Sequence, residues 1–322
     1  MRSIYYAGFF FLLLASTACM RQGPQNVDVV DQTYIHRYGV AVPSDFWASS
    51  GEHGAVVSTM ADGVVVSRNY AAGVLDGETS YSYPHSSQVQ KKEFYQQGIL
   101  TKEGEFFFDG TPQSETSYDL PQNIKTISTW YLGGTPKSVE NYQGDRLLKG
   151  DYYSTSNQND GRVENFQGTR LVRDDYGQLL TTETIQDGQL TTRTNYHPNG
   201  SPNEIIPFQD GKVEGTKRTF YPAGEPNTIE QWADGMQHGP TSVYQHGEKY
   251  AEVMYVNGNK NGIERRYRDG QDVVQEISWD NGKLHGPTTT YVGGTSKTDW
   301  FYQGNPISKT DYEFMMNKPV TR

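Results

Sequence analysis

The amino-acid sequence predicts an all-β fold: an elongated single-layer antiparallel β-meander of about ten tandem β-hairpin repeats, each 23–24 residues long. Three observations support it. An aromatic residue followed three positions later by glycine recurs eight times between Phe208 and Gly294. The dipeptides Asp-Gly, Asn-Gly and His-Gly, which favour hairpin turns, separate the segments. No segment combines the apolar spacing and the end caps of an amphipathic helix.

The aromatic-x-x-Gly motif sets the length of the repeat. Its eight copies are Phe208/Gly211, Tyr221/Gly224, Trp232/Gly235, Tyr244/Gly247, Tyr255/Gly258, Tyr267/Gly270, Trp279/Gly282 and Tyr291/Gly294. Successive glycines lie 11 to 13 residues apart, and similarity is greatest at every second motif, as between residues 236–240 and 283–287. One repeat therefore contains two motifs and two strands.

Composition agrees with an extended repeat array. The hydrophobic fraction of 34% includes 23 Tyr, the chain has 34 Gly, and the mean hydropathy is −0.75. Too few aliphatic side chains remain for one thick core. We expect each repeat to contact only its neighbours.

The meander predicts where the aromatic residues lie. Neighbouring antiparallel strands run in opposite directions, so the residues that precede successive turns fall alternately at the two edges of the sheet. One edge would carry Trp232, Tyr255 and Trp279, and the other Tyr221, Tyr244, Tyr267 and Tyr291. Within one strand, Val273, Gln275, Ile277 and Trp279 would share a face.

The N-terminus has the features of an export signal. Arg2 is followed by the apolar segment Ile4–Leu14 and by small residues up to Cys19, the only cysteine. Residues 1–18 resemble a bacterial lipoprotein signal peptide, which implies cleavage and acylation at Cys19. Met20, rather than Asp, after the cysteine favours the outer membrane. Ordinary cleavage with export and an uncleaved anchor are the alternatives.

The rest of the chain divides into four parts. Residues 19–33 are predicted to form a lipid-anchored flexible tether, 34–60 an N-terminal cap, 61–310 the repeat array and 311–322 a C-terminal tail. In the cap, Tyr34–Val40 is a predicted strand, and a turn over residues 43–47 leads to a buried aromatic pair, Phe46 and Trp47. The repeat spacing is least regular between Leu120 and Asp187, where the polar segment 154–160 is a predicted loop.

The regular part of the array resembles a known repeat family. Tyr244-Gln245-His246-Gly247 and Gly282-Lys283-Leu284-His285-Gly286 are similar to the MORN repeat in its shorter bacterial variant. The resemblance covers about three quarters of the chain. It implies an elongated antiparallel ribbon that serves as a scaffold. Some eukaryotic members were proposed to bind phospholipids, and bacterial variants often carry an antitoxin-like label.

Charge and motifs narrow the functional classes. The net charge of −10 and the lack of a basic stripe argue against nucleic acid as a partner. His238 and His285 occupy equivalent positions two repeats, about 19 Å, apart, so they cannot share a metal ion. Asp76, Glu214 and Asn261 take this position elsewhere, which predicts a polar residue that supports a turn. The chain has no nucleophile elbow and no phosphate-binding loop, so we expect no enzyme activity, metal or cofactor.

The aromatic residues allow two interpretations. They either pack against neighbouring repeats or form a candidate interaction surface for an extended partner. This candidate surface comprises Trp232, Tyr244, Tyr255, Tyr267, Trp279 and Tyr291. An open sheet edge is a further place for a partner to add a strand.

The function expected from the sequence is that of a non-enzymatic, membrane-anchored protein-interaction scaffold in the bacterial envelope. The first alternative is a module that binds lipid or glycan through the aromatic trough. The weaker alternative is an antitoxin-like partner protein.

Overall fold

The computed structural model describes residues 29–317. The predicted signal peptide, Cys19 and most of the predicted tether lie outside these residues. Within them the chain is all-β, as predicted: one antiparallel meander with two short helices.

The first thirteen strands precede or form the irregular middle of the chain. They are β1 (Val29–His36), β2 (Ala41–Val42), β3 (Gly54–Met60), β4 (Val65–Ala71), β5 (Val74–Ser82), β6 (Val89–Gln96), β7 (Ile99–Phe106), β8 (Pro112–Asp119), β9 (Ile124–Trp130), β10 (Pro136–Gln143), β11 (Arg146–Tyr153), β12 (Asn159–Glu164) and β13 (Gln167–Arg173).

The other strands include the most regular repeats. They are β14 (Leu179–Gln186), β15 (Gln189–Tyr196), β16 (Pro202–Gln209), β17 (Lys212–Val213), β18 (Gly215–Phe220), β19 (Pro226–Ala233), β20 (Met236–Gln245), β21 (Glu248–Val256), β22 (Asn259–Arg268), β23 (Asp272–Asp280), β24 (Lys283–Val292), β25 (Thr295–Tyr302) and β26 (Asn305–Ile307). The helices are α1 (Ser44–Ser49) and α2 (Lys309–Met316).

Strand order follows chain order over almost the whole sheet. From β3 onward each strand pairs with the next, except that β17 is a short extension and β18 pairs directly with β16. At the N-terminal end β1 pairs with β3, and the two-residue strand β2 pairs with β1. At the other end the three-residue strand β26 pairs with β25. These short strands cover only Tyr34 and Ile35 of β1 and Trp300, Phe301 and Tyr302 of β25, so the rest of each edge has no ladder partner among the described strands.

Two-residue turns connect the regular strands, as the sequence predicts. Asn257 and Gly258 between β21 and β22 both have positive φ, 48° and 82°. This conformation matches the twist of a hairpin and favours Asn followed by Gly. The Gly258 N–H donates to the Gln237 carbonyl at 2.8 Å, and the Gly282 N–H donates to the Lys260 carbonyl at 2.8 Å. Turns of successive repeats are thus linked along one edge, beyond the ladder bonds.

Register gives the sheet two distinct faces. One face carries the cross-strand row Lys217, Glu230, Thr241, Val253, Glu264 and Ile277, and we call it the carboxylate face. The other, which we call the opposite face, carries the row Ile229, Ser242, Glu252, Arg265 and Glu276. Thr241, Val253, Glu264 and Ile277 are all buried. The predicted common face of Gln275, Ile277 and Trp279 is confirmed by their partners on β22.

The irregular middle of the sequence forms a bend in the sheet. Arg170 on β13 donates to Glu140 on β10 at 2.7 Å, although β11 and β12 lie between them. Three strand spacings in a flat sheet would measure about 14 Å. The sheet therefore curls sharply here, around a small apolar cluster of Leu147, Tyr152, Val163 and Ile185.

Glycines permit this bend because it leaves no room for side chains. A Cβ on Gly150 would lie 2.4 Å from the Tyr152 hydroxyl, and one on Gly161 would lie 2.8 Å from the Leu171 side chain. Gly168 has φ of 146°, and its Cβ would lie 2.1 Å from the Arg162 carbonyl oxygen. The part of the sequence in which the repeat is irregular thus coincides with the tightly packed bend.

The structure corrects the predicted start of the fold. Strand β1 begins at Val29, so the tether boundary at residue 33 is too late. Val29 pairs with Met60, and the Gln32 amide donates to Ser58 Oγ at 3.1 Å. The segment resembles a tether in sequence because its first residues are exposed in the sheet, and an exposed strand can be as polar as a linker.

The two helices are also corrections. Helix α1 replaces the predicted turn over residues 43–47, and it buries Trp47 but leaves Phe46 52% exposed. The predicted buried aromatic pair is therefore wrong for Phe46. Helix α2 spans the predicted boundary at 310, so the array ends with β26. Its N-cap Ser308 accepts from the Asp311 N–H. Both helices are too short to show helical periodicity in the sequence.

The bend makes a testable prediction about stability. We expect Gly168→Ala to destabilise the protein by at least ~3 kcal/mol, because its φ is unfavourable for other residues and its Cβ would meet backbone. Gly258→Ala is the control, since its Cβ would meet open space and only the positive φ costs energy, about 1 kcal/mol. Urea unfolding of the two variants measures the difference, and equal losses would contradict the proposed packing at the bend.

Candidate interaction surface

Buried carboxylates bind side chains of neighbouring strands on the carboxylate face. Glu264 is only 3% exposed. It accepts from Lys260 Nζ at 2.7 Å, Arg266 Nε at 2.9 Å and Trp279 Nε1 at 3.0 Å. The two carboxylate oxygens of Glu264 thus accept hydrogen bonds from two cationic side chains and one indole. This arrangement satisfies a buried charge that would otherwise destabilise the fold.

The pKa of Glu264 reflects these contacts. Burial disfavours the charged form, but the hydrogen bonds from Lys260 and Arg266 and their positive charges outweigh it, so the pKa is lowered. The carboxylate therefore stays ionised at neutral pH. Its role is to hold neighbouring strands together.

A similar arrangement occurs at the bend. Glu140 is 4% exposed and accepts from the hydroxyls of Tyr142 and Tyr152 at 2.8 and 2.9 Å, in addition to Arg170. Arg170 also donates to the buried Glu183 at 2.9 Å. Burial and the Glu140 charge raise the pKa of both tyrosines well above the usual range.

The N-terminal half contains another such centre. Glu93 accepts from the hydroxyls of Tyr81 and Tyr95, each at 3.0 Å, and pairs with Lys91 at 2.8 Å. Burial, the charge of Glu93 and the hydrogen bond to it raise the pKa of Tyr95 to about 12. A carboxylate bound by aromatic donors and a cation is thus a recurring device of this sheet.

These glutamates are functional residues that the sequence analysis missed. A signal exists in the spacing Glu-x-aromatic, as in Glu93/Tyr95, Glu140/Tyr142 and Glu230/Trp232. Residues two apart share a face of a strand, so this spacing places an acceptor beside an aromatic donor. The Trp232 indole accordingly donates to Glu230 at 2.9 Å.

The six predicted surface residues are arranged partly as expected. Trp232, Tyr255 and Trp279 precede turns at one edge, and Tyr244, Tyr267 and Tyr291 precede turns at the other, as predicted. The structure adds that they are divided between the two faces. Trp232 and Trp279 bind glutamates of the carboxylate face, and Tyr255 pairs with Lys260 there.

The other tyrosines belong to the opposite face. Tyr267 donates to Glu252, and Tyr291 donates to Glu276 at 3.0 Å. Tyr244 lies in the same part of the sheet, where its carbonyl accepts from the Tyr221 hydroxyl at 3.2 Å. The six side chains are therefore not brought together in one trough.

The six aromatic side chains are also less exposed than the residues of an open aromatic surface would be. Five of the six residues are half-buried, and Tyr291 is 38% exposed. Cations lie beside three of the rings: Lys260 Nζ is 4.8 Å from the ring centre of Trp279, Lys217 Nζ is 5.8 Å from Trp232, and Lys249 Nζ is 6.0 Å from Tyr267. These contacts account for much of the aromatic pattern through packing within the sheet.

The opposite face combines charged and apolar groups. Arg265 donates to Glu276 at 3.0 Å, and Tyr267 and Lys249 bind Glu252. Beside this row, Met254 and Ile263 are 45% and 47% exposed. With Pro240 they line a depression of about 260 Å³. Of the surfaces described, this one has the clearest apolar centre with a charged border.

The turns carry a second regular feature. The side chain of His285 accepts from the Gln303 N–H at 3.5 Å, and that of His238 accepts from the Asn257 N–H at 3.5 Å. Glu214 and Asp76 accept equivalent N–H groups at 2.8 and 3.4 Å. In each case the donor is the first positive-φ residue of the next turn on that edge. The predicted turn-supporting role is confirmed for these four residues.

Within residues 29–317, no group of three or more His, Cys, Asp or Glu side chains is placed to hold a metal ion. A depression of about 670 Å³ lies between two turns and is lined by Tyr221, Pro222, Ala223, Glu225, Gln245 and His246. No helix in the described part of the chain is long and apolar enough to cross a membrane.

Comparison with known proteins identifies no family. No family model matches the chain, and no curated protein matches it in sequence. Two solved structures, of TcdB2-TccC3-TEV and of TcdB2-TccC3 without the hypervariable C-terminal region, are 12% and 13% identical, with TM-scores of 0.17 and 0.18. The matches cover 86% and 79% of this chain but only 19% and 17% of those chains.

A third similar structure is a porin-like protein from Bacteroides uniformis ATCC 8492. It is 9% identical, with a TM-score of 0.15, and the match covers 83% of this chain and 92% of that one. Similarity at this level supports no functional assignment.

Glu264 provides a prediction about pH. We expect Glu264→Gln to cost about 2 kcal/mol at neutral pH, because two buried charge-assisted hydrogen bonds are weakened. Since the pKa of Glu264 in the folded protein lies below that of a free glutamate, this stabilisation is present above the unfolded pKa and is lost as pH falls through the folded pKa. The difference in unfolding free energy between the variant and the natural protein should therefore decrease in acid.

Urea unfolding at several pH values between about 7 and 3 measures this effect. The exposed Glu225, which lines the depression at Tyr221, supplies the matched control Glu225→Gln, which should leave stability nearly unchanged at every pH. A Glu264→Gln loss that is independent of pH would show that the charge of Glu264 is not the stabilising feature.

Proposed function

We propose that this protein is a non-enzymatic, membrane-anchored MORN-repeat lipoprotein that acts as a protein-interaction scaffold in the bacterial envelope. The observation that carries the proposal is one continuous sheet, from β3 to β26, in which buried carboxylates accept hydrogen bonds from side chains of other strands, as Glu264 does from Trp279 and Glu140 from Arg170. Such a sheet offers long, regular surfaces at fixed spacing. Those surfaces suit the positioning of protein partners.

The state of the acidic residues supports a role without catalysis. General acid catalysis at neutral pH requires a carboxyl group with a raised pKa near a substrate. Glu93, Glu140 and Glu264 instead have lowered pKa values, because hydrogen bonds and charges of their partners outweigh the effect of burial. The oxygens of each carboxylate accept hydrogen bonds from other side chains of the protein.

The opposite face is the part of the sheet best suited to a protein partner. Protein interfaces commonly have an apolar centre and a polar rim. Met254 and Ile263 supply exposed apolar area, and Glu252, Arg265 and Glu276 supply charge around them. Strand addition is the alternative mode, because β2 and β26 cover only part of β1 and β25.

The alternatives have less support. A lipid- or glycan-binding trough would require the aromatic rings on one surface, and they lie on two faces of the sheet. Nothing in the arrangement of residues favours the antitoxin-like alternative.

Lipid attachment at Cys19 predicts the location of the protein. We expect Cys19→Ser to release the chain from the membrane fraction, because the acyl chains are the proposed anchor. Gln22→Ala, three residues away, is the control and should stay membrane-bound. Fractionation of cells followed by immunoblotting measures both variants. Equal membrane retention of Cys19→Ser would refute the anchor.

The scaffold role predicts partners that depend on the opposite face. Crosslinking in intact cells should yield a reproducible set of neighbouring proteins. We expect the double variant Met254→Lys/Ile263→Lys to reduce their recovery about tenfold, because two charges would occupy the apolar centre. Tyr176→Lys, at a residue 84% exposed in a turn, is the matched control. Unchanged recovery from the double variant would exclude this face.

A further inference from the structure

The N-terminal end of the sheet exposes a small group of apolar side chains. Tyr38 is 73% exposed, Val40 is 61% exposed and Phe46 is 52% exposed. Tyr38 and Val40 lie in the segment around β2, and Phe46 lies on α1. We call these three residues the cap patch. They lie outside the repeats and outside the candidate surface discussed above.

The cap patch is held in place by its neighbours. Trp47 is only 5% exposed, with its ring 5.7 Å from that of Tyr34 and 6.4 Å from that of Tyr70. This contact fixes α1 against the sheet, while Phe46, the preceding residue, faces away. The exposed ring of Phe46 is thus carried by a helix that is held against the sheet.

One imidazole joins the two exposed aromatic residues. The His36 ring is 5.0 Å from that of Tyr38 and 6.2 Å from that of Phe46. The Arg37 guanidinium donates to the Tyr38 hydroxyl at 3.0 Å and lies 5.0 Å from its ring centre. Tyr38 and Phe46 therefore belong to one local surface with a cation at its border.

This composition suits the interface of a lipid bilayer. Tyrosine and other amphipathic aromatic side chains concentrate at the level of the headgroups, where the ring is apolar and the hydroxyl stays hydrated. Arginine can place its stem along apolar surface and its charge in the headgroup region. The cap, residues 34–60, contains Asp45 and Glu52 besides Arg37 and is therefore not basic overall, so the attraction would be apolar and would not require anionic lipid.

The distance along the chain permits this contact. Cys19 precedes Val29 by ten residues, which span at most about 35 Å when fully extended. Strand β1 has eight residues and measures about 24 Å from Val29 to His36. A lipid attached at Cys19 therefore leaves enough chain for the cap patch to reach the same bilayer.

We propose that the cap patch of Tyr38, Val40 and Phe46 rests in the interface of the lipid bilayer that anchors the protein, as a second point of membrane attachment. This inference rests on the proposed lipid attachment at Cys19. Two points of contact would fix the direction in which the sheet leaves the membrane, whereas one flexible attachment would not.

The test uses the full acylated chain in vesicles of phosphatidylcholine. An environment-sensitive fluorophore is attached at Phe46→Cys, where the new thiol is free because that of Cys19 is acylated. Vesicles that contain spin-labelled lipid then quench the fluorophore if it enters the interface. Tyr176→Cys is the matched control, because Tyr176 is 84% exposed in the turn between β13 and β14. Tyr38→Cys gives an independent reading if substitution of Phe46 disturbs α1.

We expect quenching at positions 38 and 46 at least about threefold greater than at position 176, with little change between low and high salt, because the contact is apolar. Vesicle-bound protein with equal quenching at all three positions, or with none at 38 and 46, would overturn the proposal. Protection of these positions only by envelope proteins, and not by lipid, would also overturn it.

Flotation separates this inference from the proposed anchor. If the full chain does not float with vesicles at all, the acylation proposal fails. The cap patch is then tested on the same labelled variants with Cys19→Ser added, so that the introduced cysteine is the single thiol, and with high concentrations of phosphatidylcholine vesicles present. Quenching at 38 and 46 would support membrane contact by the cap patch alone, and its absence would refute it.

Discussion

A single-layer sheet has no second layer of structure to exclude water from its faces. Here the carboxylate face is covered by charged side chains of the sheet itself, which reach across strands. Glu264, Glu140 and Glu183 are nearly inaccessible, yet each accepts hydrogen bonds from two or more donors, at least one of them on another strand. A buried carboxylate would destabilise the fold if it lost these donors. Aromatic residues serve two purposes in the same network, since their rings exclude water while the indole N–H or the phenol O–H satisfies the acid. This solution needs few aliphatic residues, which is consistent with the composition.

The edges of the sheet are organised by a different interaction. The regular turns have two residues of positive φ, and at several of them the N–H of the first is accepted by a polar side chain from the preceding repeat on that edge, as with Glu214 and Asp234. His238, His285 and Asp76 take the same role, so the chemistry of the acceptor can vary while its position is kept. This explains why histidines recur with the repeat without forming a metal site. Repeats are therefore connected through both the carboxylate network and the turns.

The candidate surface shows how far strand alternation can be followed from the sequence. The edge on which each aromatic residue lies follows from counting strands, and Trp232, Tyr255 and Trp279 lie at one edge as expected. The face is harder to predict, because it depends on the register between strands: Tyr267 lies two residues from Arg265 on the opposite face, and Trp279 lies two residues from Ile277 on the carboxylate face. Tyr267 therefore binds Glu252 on the opposite face, whereas Trp279 binds Glu264 on the carboxylate face. A shift of one residue reverses the side to which a side chain points.

By itself, the sequence determined the fold class, the length of the repeat, the places of the turns and the support of those turns by polar residues. These features depend on local chemistry, such as the preference of Asn257-Gly258 for positive φ, and the repeat multiplies each local signal. Only the tertiary structure decided the bend at Gly150, Gly161 and Gly168, the start of β1 at Val29, and the division of the aromatic residues between two faces. Those features depend on contacts between residues far apart in the chain: Arg170 meets Glu140 only because the sheet curls, and Val29 joins a strand only because Met60 lies beside it.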